Sequence, residues 1–109
     1  MEIINSKRHN SFVQVLREIL SQAQMISYEI KNNDIRRKLS ETVIPNFMNV
    51  ISYIEVKDLK NVDLHFCLSR CVHQIIDLAD SNKDLMMLSS KFKVIREEVL
   101  YLMNIGDEE

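Results

Sequence analysis

Four side chains that can bind metals lie close together in the middle of the chain: His65, Cys67, Cys71 and His73. Thiolate and imidazole are the ligands that zinc prefers. On a helix the two cysteines share a face, whereas each histidine lies two residues from a cysteine and so points roughly 200° away around the helix axis. The four side chains cannot complete one tetrahedron, and we expect two reduced, core-packed cysteines and no metal or other cofactor.

His73 raises two catalytic alternatives. Arg70 lies too close to it for the arginine–histidine motif of helical ribonucleases. A phosphotransfer histidine would be followed by a lysine and a glycine, and here Gln74, Ile75 and Ile76 follow instead. The predicted loops are short and lack the glycine-rich elements with which catalytic pockets position their residues. We therefore predict a protein that is not an enzyme.

The composition indicates which elements must position these residues. The chain has 109 residues with one glycine and one proline, which favours long helices within a single domain, residues 1–109. Residues 1–9 are predicted to be a loose N-terminal arm or an extra turn of helix, and residues 107–109 an acidic tail. The net charge of −2 gives no general attraction to nucleic acid or to an anionic membrane. The chain shows neither a signal peptide nor a membrane span, and we expect a cytoplasmic protein.

Four stripes of apolar residues at steps of three and four predict four amphipathic helices. The stripes are Phe12, Leu16, Ile19, Leu20, Ala23, Ile26 and Ile30; Ile35, Leu39, Val43, Phe47, Val50, Ile51 and Ile54; Leu64, Leu68, Cys71, Ile75 and Leu78; and Leu85, Leu88, Phe92, Ile95, Val99 and Leu102. Short polar connections separate them, so we predict an all-α, antiparallel up-down four-helix bundle.

The ends of these helices follow from capping residues and from the proline. We expect N-caps at Asn10 or Ser11, at Asp34, at Asp58 or Asn61, and at Asp84, with Gly106 ending the last helix. Pro45 cannot donate a hydrogen bond to the carbonyl of Glu41. The second helix should therefore be kinked or split at Pro45, and the unbroken apolar stripe favours a kinked, continuous helix.

The chain has one concentrated basic cluster, made of Arg36, Arg37 and Lys38. It lies close to a predicted helix N-terminus, which favours anions. Together with the basic run at residues 7–9, if that run lies at the same end of the molecule, the cluster could contact phosphates. The alternative is a solvated helix face that pairs with Asp34 and Glu41.

Many apolar side chains lie outside the four stripes: Val13, Val15, Met25, Ile44, Met48, Phe66, Val72, Ile76, Met86, Met87, Val94, Tyr101 and Met103. Some of them widen the core. The remainder predict a self-association surface or a groove for a partner helix, and self-association is favoured because most soluble oligomers are homo-oligomers. The candidate interaction residues are Met48, Phe66, Met86, Met87 and Tyr101.

The order of features along the second and third helices resembles that of a known family. Ile35-Arg36-Arg37 precedes Val43-Ile44-Pro45-Asn46-Phe47, and after a charged stretch His65-Phe66-Cys67-Leu68-Ser69 begins the body of the third helix. This order resembles the four-helix-bundle proteins of 23S ribosomal RNA intervening sequences and the related accessory proteins of diversity-generating retroelements. The resemblance implies a ring-like homo-oligomer, commonly a pentamer, without catalysis and with a role beside RNA or a ribonucleoprotein.

We therefore predict a non-enzymatic helical-bundle interaction module that self-associates and scaffolds or regulates a protein partner, with a nucleic-acid-handling complex as one setting. One alternative is a small immunity, antitoxin or chaperone-like protein that occludes a target protein. Another is an accessory bundle that binds RNA or DNA through Arg36, Arg37 and Lys38. No membrane partner is expected.

Overall fold

The computed structural model describes residues 2–80 and 82–108, with side chains for residues 7–80 and 82–103. Its elements are α1 (Glu2–Glu29), α2 (Asn33–Lys38), a π-helical segment (Leu39–Val43), α3 (Ile44–Glu55), α4 (Val62–Ala79) and α5 (Asp84–Glu108). Helix α2, the π-helical segment and α3 follow one another without a break and together make the second bundle helix. The fold over the described residues is all-α, as predicted from the sequence.

Contacts between the helices show their directions. His9, near the start of α1, is hydrogen-bonded through Nε2 to the carbonyl of Ile54, near the end of α3. Arg8 is paired with Glu98, in the second half of α5. Helix α1 therefore runs antiparallel to both of these neighbours. Helix α4 packs against α3 and α5, and the short connections on either side of it reverse the chain. The predicted up-down four-helix bundle is confirmed.

Two stacked aromatic side chains fill the centre of the bundle, between two helices at diagonally opposite corners. Because α1 and α4 each pack against both α3 and α5, α3 and α5 occupy opposite corners. Phe47 of α3 and Phe92 of α5 reach across this diagonal and stack, with ring centroids 4.8 Å apart and the ring planes at 29°. Both side chains are almost completely buried, so this pair joins two helices that are not neighbours in the bundle.

The predicted apolar stripes form the core. Their residues are buried, apart from Leu20, Ile26 and Leu102, which are half-buried. Two residues that we placed outside the stripes, Ile44 and Val72, are also buried. Burial of a valine- or leucine-sized side chain contributes roughly 1.5–3 kcal/mol, so the stripes supply most of the force that closes the bundle.

The second bundle helix is irregular next to Pro45, and the irregularity is a π-helical segment. The chain does not split at the proline. Instead it widens to a π-helical segment over Leu39–Val43, in which the N–H of Ile44 donates to the carbonyl of Leu39. Such a turn places one extra residue in a helix. Since Pro45 has no N–H to donate, it lies where a wider turn already disrupts the regular hydrogen-bond ladder.

The helix caps agree with the sequence in part. Asn61 caps α4, accepting a hydrogen bond from the N–H of Asp63 at 2.8 Å. The predicted cap at Asp34 is wrong. Asn32 has that role, because its side chain accepts from the N–H of Ile35 at 3.1 Å and Asp34 already lies in the first turn.

Both terminal helices are longer than predicted. The predicted cap at Asn10 or Ser11 is wrong, because α1 begins at Glu2. Residues 2–9 extend the helix, the second of the two alternatives predicted for this segment, and His9 is buried against α3. The backbone of α5 continues through Gly106 to Glu108. A glycine costs about 1 kcal/mol inside a helix relative to alanine, which does not by itself end one. The side chains of the predicted acidic tail, residues 107–109, lie outside the described residues.

Among the helices of the described residues, none combines the length and the apolar character that spanning a lipid bilayer requires.

Candidate functional site

An apolar groove runs between α1 and α5. Phe12, Ile19 and Ile95 form its floor. Val15 of α1 and Val94 of α5 line it while remaining 47% and 63% exposed. The groove has a volume of about 470 Å³. Exposed valines beside a buried apolar floor form a surface that loses unfavourable contact with water when another apolar surface covers it.

Polar bridges join α1 and α5 on both sides of the exposed valines. On one side the guanidinium of Arg8 donates two hydrogen bonds of 2.9 Å to the carboxylate of Glu98 and lies 4.4 Å from the centroid of the Tyr101 ring. On the other side Lys91 Nζ donates to the side-chain oxygen of Gln22 at 2.6 Å. The two helices are therefore held together at these points while the valines between them stay open to solvent.

The exposed apolar residues of α5 form a row. Met87, Val94 and Tyr101 are spaced seven residues apart, which is two helical turns with a drift of about 20° per step, and all three are exposed. Met87 and Tyr101 were candidate interaction residues from the sequence. From the sequence, Val94 and Val15 are predicted only as surplus apolar residues, although the seven-residue spacing of Val94 from Met87 and from Tyr101 is a signal that assigns Val94 to the site.

The other candidate interaction residues do not join this row. Met48 lines a separate cleft between α1 and α3. Phe66 is exposed on α4, where the guanidinium of Arg70 lies 5.6 Å from its ring centroid. Met86 is exposed on α5, about 80° around that helix from Val94. The five residues therefore do not form one continuous surface.

The basic cluster contacts neighbouring groups within the molecule. Arg36 donates through Nε and Nη2 to the carbonyl of Ile30, just after the end of α1. Arg37 pairs with Glu41 at 3.7 Å, and Lys38 pairs with Asp34 at 3.2 Å. Arg36 thus satisfies a helix-end carbonyl, whereas the other two form exposed pairs with residues one turn away.

The cluster does not lie beside the basic run at residues 7–9. Arg8 and His9 pack near the ends of α3 and α5, whereas Arg36 packs at the other end of α1, beside Ile30. The residues between Arg8 and Ile30 span roughly 33 Å of helix. The expectation of a shared basic end is therefore wrong, because antiparallel packing places the two groups at opposite ends of the bundle.

Replacing Arg36 by alanine should lower the free energy of unfolding by about 1–2 kcal/mol, because a charged donor to a partly buried carbonyl is lost. Arg37→Ala is the matched control and should change it by less than about 0.5 kcal/mol, as expected of an exposed ion pair. Urea denaturation of the two variants measures both values. Equal effects would contradict the capping role of Arg36.

The histidine and cysteine cluster is divided between core and surface. Cys71 is fully buried and its thiol donates to the carbonyl of Val43 at 3.6 Å. Cys67 is half-buried, the His65 ring is hydrogen-bonded to the carbonyl of Leu59 at 2.7 Å, and His73 is exposed. Within the described residues, no group of three or more histidine, cysteine or acidic side chains has a metal-binding arrangement.

Burial changes the chemistry of Cys71. It raises the pKa of the Cys71 thiol from 9.0 to about 12, with a smaller contribution in the same direction from Cys67. The thiolate is the nucleophilic form of cysteine. Cys71 therefore stays a neutral, core-packed thiol at neutral pH.

Comparison of the chain with protein-family profiles, with curated proteins and with solved structures finds no match. The resemblance to the intervening-sequence proteins therefore stays a prediction.

Proposed function

We propose that the protein is a non-enzymatic helical-bundle interaction module that self-associates and scaffolds or regulates a protein partner. The observation that carries this proposal is the groove between α1 and α5, with Val15 and Val94 exposed beside its apolar floor. Covering apolar surface is the main favourable term in most protein association.

The polar residues around the groove suit an interface as well. The Arg8–Glu98 and Lys91–Gln22 bridges hold α1 and α5 in place, so that binding requires little rearrangement of either helix. A surface organised in advance loses less conformational entropy when it is covered. An apolar centre with polar groups around it is also the usual anatomy of a protein interface.

The proposal includes the setting that the family resemblance implies, a homo-oligomer beside RNA or a ribonucleoprotein. Direct RNA binding through Arg36, Arg37 and Lys38 is the less favoured mechanism, because all three side chains already contact groups of this chain. We propose instead that the self-associated bundle contacts a protein of such a complex.

Light scattering of the purified protein at low and high salt tests self-association. We expect a stable multiple of the 12.8 kDa chain at both salt concentrations, because salt screens exposed charges and leaves apolar burial intact. A 12.8 kDa monomer at every protein concentration and at both salt concentrations would contradict the proposal.

A further inference from the structure

We propose that the groove is covered by a second copy of this chain, with the two α5 helices packed antiparallel about a twofold axis at Val94. The inference rests on the proposed function, because it names the partner and the register of the self-association. Three features support it: the exposed row Met87, Val94 and Tyr101 of α5, the position of Val15 beside Val94, and the charged residues before and after Val94.

The polar bridges show which residues of α1 and α5 lie at the same height along the bundle axis. Arg8 meets Glu98 and Gln22 meets Lys91. Val15 is midway between Arg8 and Gln22 in the sequence, so it lies level with the midpoint between residues 91 and 98 of α5, beside Val94. A twofold axis at this level would bring together two exposed valines from each copy. These four side chains form the apolar centre of the proposed interface.

The exposed row of α5 is complementary to itself when it is reversed. Met87 lies seven residues before Val94 and Tyr101 lies seven residues after it. In an antiparallel pair centred on Val94, Met87 of one copy therefore meets Tyr101 of the other on both sides of the axis. Methionine sulfur packs favourably against aromatic rings. Each apolar residue of the row thus has an apolar counterpart.

The charges around the row favour the antiparallel arrangement over the parallel one. Lys91 and Lys93 come before Val94, whereas Glu97 and Glu98 come after it. Their positions place Lys91 and Glu98 on one flank of α5 and Lys93 and Glu97 on the other. Antiparallel packing sets Lys91 opposite Glu98 of the second copy on one flank. On the other flank it places Lys93 between Glu97 and Lys93 of the second copy, each about 3 Å away in height along the axis. Parallel packing would set lysine against lysine and glutamate against glutamate, which is repulsive.

The first test introduces a charge at the axis. Val94→Glu would bring two carboxylates together in an apolar centre, and we expect the dimer to be at least about a hundredfold weaker. Val62→Glu is the matched control, since Val62 is 79% exposed on α4, away from the proposed interface. Light scattering gives the masses, and circular dichroism checks that both variants are folded.

The second test uses charge reversal. Lys93→Glu alone and Glu97→Lys alone each put like charges opposite one another and should weaken the dimer about tenfold at low salt. An equal mixture of the two variants should recover the affinity, because opposite charges then face each other across the axis. Neither substitution touches the Arg8–Glu98 or Lys91–Gln22 bridges.

The outcomes separate this inference from the proposed function. A wild-type dimer of twice 12.8 kDa that is lost on Val94→Glu and recovered in the charge-reversed mixture is the expected result. A pentamer, or a multimer unaffected by Val94→Glu, would overturn the antiparallel register while leaving self-association standing. A wild-type monomer at every concentration would overturn both and leave the groove to a partner of another sequence.

Discussion

Replacing Phe92 by alanine is expected to lower the free energy of unfolding by about 3–5 kcal/mol, the usual cost of removing a buried aromatic side chain. The Phe92 ring stacks on Phe47 at 4.8 Å across the bundle diagonal, so its loss also leaves a cavity between the two helices that share few other contacts. The measurement is urea denaturation followed by circular dichroism.

Two further variants keep this prediction testable in a domain whose total stability is of order 5–15 kcal/mol. Phe92→Leu conserves much of the volume and should cost less than about 1.5 kcal/mol, which keeps the protein folded if the alanine variant unfolds. Met25→Ala is the exposed control on α1 and should change stability by less than about 0.5 kcal/mol. A Phe92→Ala cost as small as that of the control would contradict the diagonal core.

Stability should fall at alkaline pH because of Cys71. Burial raises the pKa of its thiol from 9.0 to about 12, so between these values the folded protein keeps a proton that the unfolded chain has released. The unfolded state then binds fewer protons, and the free energy of unfolding decreases by about 1.4 kcal/mol per pH unit. This contribution is complete below pH 9.0 and is lost as the pH rises towards 12.

The measurement is urea denaturation at several pH values between neutral and about pH 11. Other groups also titrate in this range, among them Tyr53, whose pKa is raised first by burial and further by Asp63. The variant Cys71→Ala removes the contribution of Cys71 and leaves the others, so its alkaline slope should be smaller. Cys67→Ala, at the neighbouring half-buried cysteine, should reduce the slope less than Cys71→Ala does, because Cys67 makes only the smaller contribution to the raised pKa of Cys71. Equal slopes for Cys71→Ala and the wild type would contradict the prediction.

Periodicity was sufficient to predict the four core stripes, because a helix that packs on one side needs apolar residues at steps of three and four. It could not place Ile44 and Val72, which are buried. Their environment depends on how the start of α3 and the middle of α4 pack against neighbouring helices, and that is a property of tertiary packing.

The errors at α1 have a similar origin. Lys7, Arg8 and His9 look like a solvated basic arm because their local pattern is polar. In the structure, Arg8 bonds to the carboxylate of Glu98 and His9 bonds to the carbonyl of Ile54. Each partner lies more than forty residues away in the sequence. A contact that joins such distant segments leaves no local signal.

The candidate site was predicted incompletely for a different reason. Met87 and Tyr101 are among the candidate interaction residues predicted from the sequence, whereas Val94, between them, is predicted only as a surplus apolar residue. The groove depends on the separation of α1 and α5, which no periodicity in either helix encodes. The basic cluster was predicted correctly as a feature of the second bundle helix, but the contact between Arg36 and the carbonyl of Ile30 required the tertiary turn that brings α1 beside α2.

The π-helical segment explains a feature of the second stripe. Ile35, Leu39, Val43 and Phe47 follow one another at steps of four, and in a regular α-helix three such steps rotate the side chain by about 120° from the starting face. Both Ile35 and Phe47 are nevertheless buried in the core. With one residue fewer between them the rotation would be about 20°.

The second bundle helix therefore has one residue more between Ile35 and Phe47 than a regular α-helix would need to bury both on the same face. Losing one residue from Leu39–Val43 would convert the wide turn into an ordinary one and leave the flanking faces directed at the core. The same deletion within a regular α-helical stretch would turn every following side chain by about 100°. The π-helical segment is therefore the place in the second bundle helix where the loss of one residue should disturb the core least.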